Sequence, residues 1–289
     1  MVRGRRRPAL LLLLVVLVAV GIVFRGRIGN LAQRAWDKLN PPGTRLTHAP
    51  PGLRTVRYSI GSKAVGASLP QAALVPTGQR RPLLVFLHGR SGGHGELSNF
   101  NDDFARALSA LGARAPVVVF PSGGTGSYWH DRAGGAWGRY VTDEVIPQAV
   151  RRFRVDPRRV AIGGISMGGF GAYDLARLHP GRFCAVGGHS AAVWQAAGET
   201  APGAFDDARD FARHDVVAAA RARRHLYGRA ALWLDGGAAD PFHPGDEALA
   251  AALGVHLRVW PGGHTSAYWH RHYSAYLRFY ADALARCPG

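Results

Sequence analysis

Five short, almost wholly apolar runs constrain this chain most: residues 82–87, 116–120, 160–163, 183–187 and 230–234. They are too short for helices and lack the polar alternation of a strand with one wet face, so they fit strands covered on both sides. A sixth run, 255–260, reads as the last strand. Stretches with helical spacing lie between them, at 101–111, 137–153, 167–179, 244–253 and 266–285. Gly112 and Gly254 follow two of these helices, and Pro244 stands at the start of the second of them, the expected asymmetry of helix ends. Alternation of this kind predicts an α/β fold with a mainly parallel sheet and helices on both faces. Two further strands are expected at 53–60 and 67–75. Residues 191–229 break the rhythm and form an insertion between two strands, where a cap over a site has room. No internal repeat is present.

The N-terminus reads MVRGRRRPALLLLLVVLVAVGIVFRGR. Four arginines before an uncharged apolar run are how export signals and membrane anchors begin. Residues 1–27 are therefore expected to be an uncleaved anchor or a signal peptide, and 28–52 a linker rich in proline and glycine. The remainder, 53–289, would be one catalytic domain outside the cytoplasm, secreted or anchored. The formal charge of +17 comes almost entirely from arginine, since lysine occurs only at Lys38 and Lys63. Those arginines are scattered, with no basic helix carrying interleaved aromatics, which argues against a nucleic-acid partner. The cysteines, Cys184 and Cys287, fit either a disulfide in an oxidising compartment or two unpaired thiols.

Chemistry concentrates where the third apolar run ends. Gly164-Ile165-Ser166-Met167-Gly168 sits between the 160–163 strand and the 167–179 helix. A nucleophile elbow needs that strand-to-helix context, with small residues beside the serine. A serine hydroxyl needs a base, and His264 lies in the glycine loop after the last strand. His243, His270 and His272 are nearby rivals. The base needs a carboxylate, for which Asp240 on the 235–242 loop is preferred. Asp235, at the strand end, is expected to make local hydrogen bonds. Backbone donors for a tetrahedral oxyanion are expected at Met167, after the serine, and at Arg90 in Leu87-His88-Gly89-Arg90-Ser91-Gly92-Gly93.

The segments LHGRSGG, SYWHDR, GGISMGGFGAYDLARLHPGRF, LDGGAADPF and WPGGHTSAYWHRHYSAYLRFYADAL resemble the esterase D-like putative esterase family across roughly residues 53–286. That family includes S-formylglutathione hydrolases, feruloyl-esterase-like enzymes and the secreted mycolyltransferases of the antigen 85 group. The resemblance implies an α/β-hydrolase fold and acyl-ester chemistry without a cofactor. Its serine–acid–histidine roles fall on Ser166, Asp240 and His264, and its oxyanion donors on Arg90 and Met167. The expected activity is carboxylic-ester hydrolysis on a small-molecule, lipid or polysaccharide ester, with acyl transfer or a non-catalytic envelope-binding role as alternatives.

Three aromatic residues carry two readings each. Tyr128 and Trp129 either line the substrate pocket or pack beneath the loop, and Trp194 either contacts substrate or fills the core of a cap. Asp240, His243 and Asp246 do not have the spacing of a zinc or calcium loop, so no metal is expected there. Tyr268, Trp269, Tyr273, Tyr276 and Phe279 read as the buried face of the last helix.

Overall fold

The computed structural model describes residues 46, 48–78, 80–90, 99–223 and 225–287. The expected anchor (1–27) and most of the expected linker lie outside the described residues. Among the described residues, no helix is long and apolar enough to cross a membrane. The linker boundary needs one correction. Leu46 is already packed into the core, and the Pro51 carbonyl accepts a hydrogen bond from Ser109 Oγ at 3.0 Å. The domain therefore begins before residue 53.

Strands β1 (Leu53–Ser62) and β2 (Ala67–Pro76) form an antiparallel hairpin at one edge of the sheet. Next come β3 (Leu83–Leu87) and β4 (Val117–Pro121), with helix α1 (Asp102–Ser109) between them. A two-residue-strand hairpin, β5 (Asp131–Arg132) with β6 (Gly135–Ala136), precedes a π-helical turn at Tyr140–Val145 and helix α2 (Ile146–Phe153). Then follow β7 (Val160–Ile165), α3 (Met167–Leu178) and β8 (Ala185–His189). The expected insertion contains α4 (Ala208–His214) and α5 (Val216–Ala222). The chain ends with β9 (Ala231–Gly237), α6 (His243–Leu253), β10 (Leu257–Trp260) and α7 (Ser266–Arg286).

The main sheet runs β1-β2-β4-β3-β7-β8-β9-β10. Pairing is antiparallel through β2–β4 and parallel from β4 to β10. Every residue of β3, β4, β7 and β8 is buried, as their unbroken apolar character demands. Successive side chains of a strand take opposite faces, and β3 divides accordingly. Leu83, Val85 and Leu87 join one core with Ile162, Phe170 and Tyr173, whereas Leu84 and Phe86 join the other with Phe104, Tyr276 and Tyr280. Helix α7 turns its tyrosines onto the second face, as its spacing predicts: Tyr268, Tyr273 and Tyr276 are buried.

Glycines Gly163 and Gly187, paired across β7 and β8, make room for one of these side chains. A Cβ at either position would collide with the Tyr280 hydroxyl, so glycine is what lets the phenol end of this side chain reach the strands. Cys184 and Cys287 are disulfide-bonded, which decides between the two readings of the cysteines and ties the start of β8 to the end of α7.

Candidate active site

The parallel register brings strand ends together at one edge. Leu87 pairs with Gly164, Ile165 with His189, and Gly237 with Trp260. Loops leaving these carboxyl ends are where α/β sheets build sites. Ser166 occupies the turn between β7 and α3 with φ +56° and ψ −116°. A non-glycine residue there costs about 1–3 kcal/mol and persists only when its surroundings hold it. Here the Ser166 N–H donates to the His189 carbonyl at 3.0 Å, and its carbonyl accepts from Phe170 and Ala192 at 3.1 and 3.0 Å. A Cβ at Gly168 would overlap the Leu87 carbonyl, so nothing larger than glycine lets α3 start this close to β3.

His264 follows β10, and its Nε2 lies 2.9 Å from Ser166 Oγ. Its Nδ1 lies 3.2 and 3.0 Å from the two carboxylate oxygens of Asp240. With Nδ1–H donating to that carboxylate, Nε2 is left to accept the serine proton. Asp240 is buried and also accepts from the Phe242 N–H at 2.9 Å. The acid and histidine loops are stitched together: Ala238 and Ala239 donate to the Trp260 and Gly262 carbonyls at 2.9 and 2.8 Å. Phe242 and Trp269 flank the imidazole, each with its ring centroid 5.0 Å away. Trp269 is fixed in turn by donating to Ser190 Oγ at 3.0 Å.

The rival residues are placed elsewhere. His270 pairs with Asp103 at 2.8 Å, and His272 stacks on Trp260. The His243 amide donates to the Asp240 carbonyl. Asp235 makes more than the local hydrogen bonds expected of it. Trp233 Nε1 is two residues away, but the other donors to its carboxylate, His189 Nδ1 and the hydroxyls of Tyr268 and Tyr276, are distant in sequence. Asp246, also buried, has its carboxyl pushed well above the usual range, first by desolvation and then by Asp240 and Asp235.

Met167 opens α3, so its N–H is one of the amides with no acceptor inside the helix, at the positive end of the helix dipole. The Arg90 loop comes equally close: a Cβ on Gly89 would stand 3.3 Å from Ser166 Cβ. Residues 91–98 lie outside the described residues. The Arg90 loop is braced from behind in a way the sequence did not reveal. His88 Nε2 accepts from the Gly123 N–H at 2.9 Å, and the His88 carbonyl accepts from Trp129 Nε1 at 3.2 Å.

That contact corrects the substrate-lining reading of Trp129. Its side chain is wholly buried and supports the loop instead of facing a ligand. Tyr128 is also buried, with its ring 5.4 Å from Trp194 and 6.2 Å from Phe205. Trp194 is half-buried and reaches toward the site through Phe242, at 5.4 Å. A cavity of about 970 Å³ opens beside the Arg90 loop, lined by Arg90, Gly123–Ser127, Arg132 and Trp137. Another of the same volume, around Arg158, Phe183 and Cys287, lies at the opposite ends of the strands.

Comparison with known proteins bears on the family and the fold. A family model described as "Putative esterase" matches residues 62–280. The MPT51 antigen of Mycobacterium leprae is 25% identical over 179 residues, 61% of this chain and 52% of that protein. A bifunctional acetylxylan esterase/xylanase of Neocallimastix patriciarum is 27% identical over 144 residues, 50% of this chain and 21% of that protein. The chain thus spans about half or less of these curated relatives. Among solved structures, a ferulic acid esterase superposes with TM-score 0.69 at 22% identity, covering 80% of this chain and 98% of that one. An S-formylglutathione hydrolase from Agrobacterium tumefaciens gives TM-score 0.69 at 18% identity, covering 83% and 100%.

Proposed function

Because the chain belongs to the putative esterase family, we propose that it is a serine carboxylic-ester hydrolase working through Ser166, His264 and Asp240. One observation carries this reading. A relay from hydroxyl to imidazole to carboxylate, with no link longer than 3.2 Å, stands on a strained elbow at the carboxyl edge of a parallel sheet. Ser166 Oγ attacks the ester carbonyl while His264 Nε2 takes its proton, and the amides of Met167 and Arg90 receive the oxyanion. His264 returns the proton to the departing alcohol, leaving an acyl group on the serine. Water, deprotonated by the same imidazole, then releases the acid. Asp240 stays ionised throughout, orienting the ring and balancing the imidazolium.

The reading places this chemistry outside the cytoplasm. The arginine-flanked apolar N-terminus and the bonded cysteine pair support that placement. The physiological substrate is proposed to be a small-molecule, lipid or polysaccharide ester. The test uses the full-length protein with p-nitrophenyl esters of increasing chain length, beside Ser166→Ala. Hydrolysis that falls at least ~10³-fold in the variant is expected. Equal turnover in the two proteins would overturn the assignment. Turnover that rises only when an acceptor alcohol is added would redirect it to acyl transfer.

A further inference from the structure

A second cluster of chemistry-bearing side chains lies in the insertion, apart from the serine and independent of the esterase reading. Asp210 and His214 stand four residues apart on α4, which puts them on one face of the helix. His130, in the loop between β4 and β5, meets them from the other side. All three are buried. His130 Nε2 is 3.0 Å from Asp210 Oδ2, and His214 Nε2 is 3.8 Å from Asp210 Oδ1. The three ligand atoms all lie within 4.8 Å of one another.

We propose that His130, Asp210 and His214 form a binding site for a divalent transition-metal ion, with Zn²⁺ the best fit. Two imidazoles and one carboxylate are a common donor set for such ions. Bonds of about 2.0–2.1 Å in tetrahedral geometry put donor atoms about 3.4 Å apart. Each imidazole nitrogen already stands 3.0 or 3.8 Å from one of the two Asp210 oxygens, and the three donor atoms, all within 4.8 Å of one another, draw together around an ion.

The surroundings prepare the ligands. A histidine bound to metal through one nitrogen usually donates its other N–H to a carboxylate. His214 does so, with Nδ1 2.8 Å from Asp174 Oδ2, while Arg177 holds the other oxygen of Asp174. Asp210 Oδ2 is held in place by the Asp206 N–H at 2.9 Å and by His130 Nε2 at 3.0 Å. Arg213 neutralises Asp210 through Oδ1 from a side chain that is largely exposed, so it can yield to a cation. Three protein ligands leave one position open for water, on the His214 side, where 10% of that side chain remains exposed.

The ion would staple the insertion to the body of the domain. His130 stacks on Phe205, and Phe205 stacks on Tyr128, next to the Arg90 loop. The competing state has no cation. In it His130 Nε2–H donates to Asp210 and Nδ1, which has no hydrogen-bond partner, stays unprotonated.

The test strips the full-length protein with EDTA and titrates it with Co²⁺ and Zn²⁺. One equivalent of Co²⁺ with visible ligand-field absorption is expected, displaced by Zn²⁺. His214→Gln should abolish uptake, and Asp174→Asn should weaken it about 10–100-fold. His256→Gln, at an exposed histidine on the far side of the chain order, should leave it unchanged. Absence of stoichiometric binding by the wild type overturns the proposal. So does binding that His214→Gln leaves intact. If that variant does not fold, X-ray absorption of the Zn²⁺-loaded wild type decides, since fewer than two imidazoles on the metal refutes the site.

Discussion

Asp235 lies within β9 and Asp240 five residues further on, in the loop that follows it, and exchanging each for asparagine should separate fold from chemistry. Asp235 receives four donors: His189 Nδ1 and Trp233 Nε1 on Oδ1, both at 2.6 Å, and the hydroxyls of Tyr268 and Tyr276 on Oδ2, at 3.1 and 2.9 Å. Hydrogen bonds to a charged acceptor contribute about 1.5–3 kcal/mol each, and neutral ones about 0.5–1.5. In Asp235→Asn the amide keeps its oxygen toward His189 and Trp233 and turns its NH₂ toward two hydroxyls able to rotate. Four charged bonds become four neutral ones, a loss of about 4 kcal/mol. Relief of carboxylate burial offsets part of this, leaving ~2–4 kcal/mol. For a domain of this size that lowers Tm by roughly 4–15 °C.

Asp240→Asn removes only the carboxylate that fixes His264. Asp240 is buried but, among the described residues, receives only two donors, the Phe242 N–H and the His264 Nδ1–H, so its exchange should lower Tm by less than Asp235→Asn does, while kcat falls ~10⁴-fold. Calorimetry and ester hydrolysis on both variants supply the check. If Asp235→Asn lost turnover at unchanged Tm while Asp240→Asn kept it, the acid would be misassigned.

Other consequences can be measured in the same way. Asp246 has a folded pKa well above its ordinary value of 3.8, so the native state holds a proton that the unfolded chain has released. Its contribution to stability is complete below pH 3.8 and is lost as pH rises through the folded value. Asp246→Asn should flatten that decline in urea-denaturation series, and an unchanged slope would refute a raised Asp246 pKa. The disulfide spans 103 residues, so reduction or Cys287→Ser should lower stability by about 2–4 kcal/mol. Thermal unfolding with and without reductant that gave one Tm would contradict this.

Much of the fold is legible because buried parallel strands must be apolar on both faces. The runs 82–87, 116–120 and 160–163 all mark true strands, within a residue or two. The elbow is legible for a related reason: only small residues fit between Leu87 and the start of α3, so Gly164 and Gly168 advertise the turn. The acid was recoverable from its place on a loop, since β9 continues through Asp235 to Gly237 and leaves Asp240 outside the sheet. What the sequence could not express is packing behind the site. Nothing local distinguishes Trp129, buried against His88, from a tryptophan facing substrate. The pairing of His189 with Asp235, 46 residues apart, depends on strand register. Likewise the meeting of His130 with Asp210, 80 residues apart, depends on where the insertion folds back.

The most direct test is whether Ser166 becomes acylated. Mixing the full-length protein with a slowly hydrolysed p-nitrophenyl ester, quenching in acid and mapping peptides by mass spectrometry reads this out. An acyl mass on the peptide containing Ser166, formed in step with a burst of p-nitrophenol and absent in Ser166→Ala, is the predicted result. A burst with the acyl group on another residue, or turnover that persists in Ser166→Ala, would contradict the account.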